Sequence, residues 1–262
     1  MIEFCLLDRE GTVLKKQEDA QEIVTVLDRV YLEGDRMVIR ADARFLSVQL
    51  DQSIPPATVC LPEGTMTWKV PCGEERSAYA PGLFEQTRHI ICIRRLDAPM
   101  KDTDLACNPL DLRGDTDFFP HAFANIETRN EACFAARNLI DGLSCNAGHG
   151  EWPYQSWGIG TREDAACWID LGRKVRAGKI GIVLRADFPH DAWFSSVRIT
   201  LDDGTEQVLE LRKTAKEQVF TLPDGCATRK IQIDHLVKAP DPSPFPSFRS
   251  VRLYGEELIE NA

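Results

Sequence analysis

Three stretches concentrate the side chains that could bind or transform a small polar molecule. They are His149-Gly-Glu-Trp-Pro-Tyr-Gln-Ser-Trp157, Arg185-Ala-Asp-Phe-Pro-His-Asp-Ala-Trp193 and Lys238-Ala-Pro-Asp-Pro-Ser-Pro-Phe-Pro246. Flat aromatic rings can stack on the apolar C–H face of a sugar, and Asp, His and Arg offer donors and acceptors for its hydroxyls. Proline stiffens such loops and lowers the entropy lost on binding. The chemistry expected is non-covalent recognition of a small neutral saccharide. Trp152 would stack on the ring, and His149, Arg185, Asp187, His190 and Asp191 would bond hydroxyls or brace the groups that do. Trp157, Trp193 and Phe245 would wall the pocket. Trp168 reads as packing, and His121 and His235 as structural.

Catalysis has a narrower basis. The sequence holds no His-Glu-x-x-His, Gly-x-Ser-x-Gly, Walker or dinucleotide-glycine pattern. A glycan-active enzyme would have to pair Glu151 with Asp187 or Asp191 as acid and base. A third reading uses the same Trp, Tyr and Arg residues as anchors for a protein partner.

Antiparallel strands must bring these loops together. Residues 1–97 read as a β-rich unit: Leu46, Val48 and Leu50 alternate with Phe45, Ser47 and Gln49, Met66, Trp68 and Val70 form a second such set, and helix signals are confined to 17–29. Polar residues 98–104 serve as a linker. Residues 105–262 open with a short helix over 131–140, from Ala132, Ala135, Ala136 and Leu139 at helical spacing. Strands follow at about 165–171, 178–185, 193–201, 206–212, 217–222, 229–236 and 248–254. If successive strands run antiparallel, connections at 172–177, 202–205 and 223–228 share one end of a sandwich. Those at 186–192, 213–216 and 237–247, with the approach at 149–164, share the other. The fold class is all-β: a C-terminal jelly-roll β-sandwich preceded by a smaller β-rich domain of unknown role.

Charge and composition exclude other partners. With 31 Lys and Arg against 41 Asp and Glu the chain carries a formal charge of −10, which repels phosphate backbones and anionic membranes. Apolar runs such as Ile180 to Leu184 fall far below the roughly 20 residues that span a bilayer. Charges at Glu3, Asp8, Arg9 and Glu10 leave no room for a secretory apolar segment, so a cytoplasmic location is expected. Nine cysteines without a Cys-x-x-Cys pair indicate reduced thiols rather than a disulfide frame or zinc ribbon.

Ala136-Arg-Asn-Leu-Ile-Asp-Gly142, Trp168-Ile-Asp-Leu-Gly172 and Val251-Arg-Leu-Tyr-Gly255 together resemble the galactose-binding-domain-like family, of discoidin or coagulation-factor type C kind, over about residues 105–256. The stretches 149–158 and 185–193 further resemble a bacterial branch of carbohydrate-binding proteins. The resemblance implies an eight-stranded jelly roll with ligand loops at one end. It also implies a structural calcium near Asp141, helped by an acidic residue just before the final Tyr-Gly. Arg252 stands there and would oppose a cation, so no cofactor is assigned and calcium is left open, as is a homo-oligomer.

Overall fold

The computed structural model describes residues 1–96, 103–145, 150, 152–186, 192–223 and 226–258. Among these residues sixteen strands carry the fold. The first eight are β1 (Ile2–Leu7), β2 (Val13–Asp19), β3 (Glu22–Asp28), β4 (Arg36–Ala41), β5 (Phe45–Gln49), β6 (Ala57–Cys60), β7 (Thr65–Lys69) and β8 (Arg88–Arg95). They form two antiparallel four-stranded sheets, ordered β2-β1-β4-β7 and β3-β8-β5-β6. Alternation is the cause: Leu46, Val48 and Leu50 from one sheet and Met66, Trp68 and Val70 from the other all point into a common core. The stretch 17–29, where helix signals lay, holds instead the end of β2, a bend at 20–21 and β3, with Ile23 and Leu27 buried and Val24 and Val26 outside.

The other strands are β9 (His121–Ala124), β10 (Trp157–Gly158), β11 (Cys167–Leu184), β12 (Phe194–Leu201), β13 (Glu206–Glu210), β14 (Gln218–Thr221), β15 (Ala227–Lys238) and β16 (Ser247–Glu257). They make a jelly-roll β-sandwich. One layer pairs β9, the first part of β11, β15, β12 and β13; the other pairs β14, the second part of β11, β16 and β10. The connection expected at 172–177 is therefore no loop. β11 passes from layer to layer there, with a register shift against β15 between Asp170 and Val175. Gly172 permits the turnover: its φ is +70°, and a Cβ would lie 2.6 Å from the Phe119 side chain. The alternating residues of the strands, from Cys167, Ile169 and Leu171 to Val251 and Leu253, fill this second core.

The helix expected over 131–140 is absent. Single 3-10 turns at Thr128–Asn130, Ala132–Phe134 and Ala136–Leu139 replace it, because Ala135 is extended, at φ −75° and ψ 154°. Ala132, Ala135, Ala136 and Leu139 are buried all the same, so their spacing recorded burial rather than a helical period.

The two cores adjoin through residues 105–120. Leu110 and Phe118 belong to the first core although they follow the expected linker, and Leu105 and Ala106 belong to the second. The Trp68 indole donates to the Leu110 carbonyl at 2.8 Å, and Cys60 and Phe119 form an isolated bridge. Linker residues 98–102 lie outside the described residues, among which no helix is long and apolar enough to cross a membrane.

His121 is one of the ties at this junction, its Nδ1 lying 2.7 Å from the buried Asp111 carboxylate, which also accepts from Ala122 N. Burial pulls the imidazole pKa down, but the hydrogen bond and charge of Asp111 outweigh it and raise it above the ordinary value. A raised histidine stabilises the fold below its unfolded pKa of about 6.5, and that stabilisation is lost as pH rises through the folded value. Asp104 acts in the same sense at lower pH. Burial pushes its carboxyl from 3.8 to about 6, so its contribution fades as pH rises through that interval. Thermal midpoints recorded from pH 6 to 9 are expected to fall more steeply for the wild type than for His121→Gln; parallel curves would remove His121 from the account.

Candidate functional site

One end of the jelly roll is closed by backbone pairing between three distant segments. Trp157 and Gly158 pair with Phe248 and Ser247, and Arg185 N donates to Ser247 O at 3.0 Å. This clamp exists because Gly158 has no side chain: a Cβ there would lie 2.6 Å from Thr128 Oγ1. Thr128 Oγ1 in turn accepts from Gly160 N at 2.9 Å, fixing the 126–134 segment over the strand end.

Above the clamp is a cleft of about 170 Å³. Phe134, Phe245 and Pro246 give it apolar walls, and Thr128, Arg129, Arg185 and Ser247 give it polar edges. That volume is well below the several hundred Å³ of drug-sized sites and suits one small ring. Phe245 is half exposed, whereas Arg185 is only 2% exposed. Arg185 Nη1 donates to Tyr154 O at 2.9 Å, which fastens the 152–156 segment beside the cleft.

The floor is aromatic. Trp157 is wholly buried, donates its indole N–H to Ile126 O at 2.9 Å, and stacks on Phe248, which stacks on Phe194. Trp157 thus lies beneath the cleft and supports it, rather than walling it as the sequence suggested. Its polar atom is spent on the backbone, as buried indoles require.

The rim over Phe134 holds two consecutive non-glycine residues with left-handed backbone, Arg129 at φ 53° and Asn130 at φ 54°. Such conformations cost free energy and persist only when neighbours over-determine them. Here Asn130 N donates to Glu127 O and Arg113 Nη1 donates to Asn130 O. The Arg129 guanidinium sits 5.3 Å from the Phe134 ring centroid and is forked to Glu131 at 2.7 Å and 2.7 Å. Phe134 meets the Tyr154 ring edge to face, and burial pushes the Tyr154 phenol up to about 12, keeping it neutral.

Of the residues expected at the site, the structure brings Arg185 and Phe245 into one cleft. Trp152 is 38% exposed on the segment that Arg185 fastens, outside the cleft lining. Trp193 is half-buried, its ring packed against the second core and outside the cleft lining. His149, Asp187, His190 and Asp191 lie outside the described residues, as does Glu151. Among the described lining residues there is no carboxylate or imidazole. Trp168 packs as expected, stacked on Phe123 and donating to Gln232 Oε1. His235 stands on the surface beside Asp234.

Thr128, Arg129, Phe134 and Ser247 were not foreseen. Phe134 comes from the segment whose alanine spacing suggested a helix and Thr128 and Arg129 directly precede it, and no local pattern ties these residues to Gly158 or Gly160.

The calcium that the resemblance implies near Asp141, left open above, can be tested against the donors present. Asp141 Oδ2 lies 3.2 Å from Arg249 Nη2; Arg249 Nη1 donates to Asn138 O at 3.0 Å and Nε to Cys145 O at 3.1 Å. The carboxylate and carbonyls that would ligate a cation already accept from a fully buried guanidinium. These residues do not fit a metal, and no group of three or more His, Cys, Asp or Glu among the described residues could hold one. Arg252, which the sequence set against the cation, pairs instead with Glu217.

No family model and no curated protein matches the sequence. Among solved structures, a fucose binding module of Streptococcus pneumoniae, SpX-3, is similar with TM-score 0.43 and 16% identity, over 59% of this chain and 99% of that one. The lectin domain of lectinolysin complexed with Lewis B antigen gives TM-score 0.44 and 15% identity, over 60% of this chain and 99% of that one. The family 32 CBM from C. perfringens NanJ in complex with galactose gives TM-score 0.39 and 16% identity, over 50% and 90%.

Proposed function

We propose that the C-terminal sandwich binds a neutral saccharide without transforming it, and that the 158–160, 185 and 245–247 cleft takes one terminal sugar ring. The observation that carries this reading is the pairing of an exposed aromatic wall, Phe245, with a buried arginine, Arg185, held in place by Tyr154 O. A pyranose has an apolar face and a hydroxyl edge, and a site built on these two residue types offers a partner to each. The small volume commits the cleft to a single ring, with the remaining glycan outside it. Trp152, exposed on the adjoining segment, stacks on the next ring of a longer chain.

Titration calorimetry with neutral mono- and disaccharides tests this. Phe245→Ala is expected to weaken binding roughly tenfold, about the worth of one aromatic stacking contact. Stability should stay within about 0.5 kcal/mol, because the side chain is half exposed. Trp152→Ala should reduce affinity for disaccharides and spare monosaccharides. Equal sugar affinity in the wild type and Phe245→Ala would remove the cleft from the reading, and no heat with any sugar at millimolar concentration would favour a protein partner.

A further inference from the structure

A second cleft, of about 500 Å³, lies on the N-terminal sandwich where β4 and β7 meet the 71–79 and 112–113 segments. Its lining carries more cationic than acidic side chains in a protein whose net charge is −10. Arg9, Arg36, Lys69, Arg113 and Arg137 all contribute.

Most of this positive charge is uncompensated. Among the described residues no carboxylate pairs with Arg9, Arg36 or Lys69. Arg137 is 2% exposed and its guanidinium donates only to neutral acceptors, the carbonyls of Asp111, Ala78 and Pro109 and the Asn138 amide, while lying over the Tyr79 ring. Of the three acids in the lining, Asp35 is forked to Arg29 and Glu75 is paired with Arg113. That leaves Arg9, Arg36 and Lys69 facing one uncommitted carboxylate, Glu33, with Arg137, whose charge also acts on the buried Asp141, at the back of the cleft.

The arrangement also works against the sheet. Arg36 and Lys69 are direct cross-strand partners in β4 and β7, and like charges so placed are destabilising. Two glycines leave room for the arginine side chains beside them. A Cβ on Gly11 would lie 3.3 Å from Arg36 Nη2, and one on Gly34 would lie 2.8 Å from Arg9 Cβ. A bound anion would offset the repulsion, and Arg forks suit the paired oxygens of a phosphate or sulfate.

We propose that this cleft binds a small phosphate- or sulfate-type oxyanion, free or as an ester, between Arg9, Arg36, Lys69 and Arg137. The site is separate from the saccharide cleft and does not depend on that reading.

Calorimetry at fixed ionic strength with sodium pyrophosphate, sodium sulfate, glucose 6-phosphate and glucose provides the test, on the wild type and on Arg36→Gln/Lys69→Gln. The wild type should bind at least one of the anions at millimolar concentration or tighter, and the double variant should bind it at least tenfold more weakly. The unliganded variant should melt no lower than the wild type, because the like-charge pair is gone. Lys69→Gln, at an exposed position, supplies the same comparison should the double variant misfold. Tighter binding of glucose 6-phosphate than of pyrophosphate and sulfate identifies an ester as the ligand, and the reverse identifies a free anion. Glucose binding that survives in the variant belongs to the other cleft. No binding of any anion by the wild type, or anion binding undiminished in the variants, would overturn the proposal.

Discussion

Arg249→Met is expected to destabilise the protein by about 3–5 kcal/mol, because removing one partner of a buried ion pair strands the other. Arg249 has no exposed surface, and its guanidinium satisfies Asp141, Asn138 O and Cys145 O together. The methionine leaves the Asp141 carboxylate, itself 7% exposed, with only Leu143 N as a donor from this set, and frees two carbonyls. Urea unfolding checks the magnitude. The double variant Asp141→Asn/Arg249→Met should recover a sizeable part of the loss, since the stranded charge is gone. Addition of calcium should leave the wild-type midpoint unchanged, as the donors are already occupied. A calcium-dependent rise in the wild type, or a loss below 1 kcal/mol in Arg249→Met, would contradict the assignment.

Gly255→Ala is expected to be the second large effect. A Cβ at Gly255 would lie 2.0 Å from the Arg176 carbonyl oxygen, a backbone atom that cannot swing away as a side chain does. β11 and β16 pair at this point, with a register shift between Ala177 and Lys179, so the strands must part locally to admit the methyl. Overpacking of this kind costs about 1–3 kcal/mol, and contact with rigid backbone puts the expectation at the upper end. Denaturant unfolding of Gly255→Ala against the wild type measures it. A change below about 0.5 kcal/mol would show that the ladder relaxes freely. The physical reason for glycine in the closing Tyr-Gly step is thus a close backbone approach, and not a left-handed turn.

The strands were legible in the sequence where one face is buried and the other solvated, because alternation then reports the pleat. β5, β7 and β12 are read this way residue by residue. β2 and β3 were obscured: Lys15, Lys16, Glu18 and Asp19 sit on an edge strand with little burial, so no apolar period survives to mark it. The 131–140 segment misled for the opposite reason, since small buried residues at spacings of three and four arise from successive 3-10 turns as well as from a helix.

The site was half legible. The position of Arg185 and Phe245 at one end follows from counting antiparallel strands, and that count survived because the 172–177 turnover reverses the chain although it stays in one continuous strand. Trp157 and Trp193 stand at strand ends, where core plug and pocket wall have the same local sequence; the indole bond of Trp157 to Ile126 O and the packing of Trp193 against the second core separate the two roles. Thr128 and Phe134 reach the cleft through a contact with Gly158 thirty or so residues away, and a non-local contact of that kind leaves no period to read.

The saccharide cleft is the central claim, and amide chemical shifts address it most directly. A neutral monosaccharide titrated into ¹⁵N-labelled protein should perturb the amides of Gly158, Gly160, Arg185 and Ser247, residues that line the cleft, in one saturable process. In Phe245→Ala the same amides should need roughly tenfold more sugar to reach the same shifts. Perturbations that gather around Phe123 and Trp168 on the outer sheet face, or around Arg36 and Lys69, while the four cleft amides stay still, would contradict it.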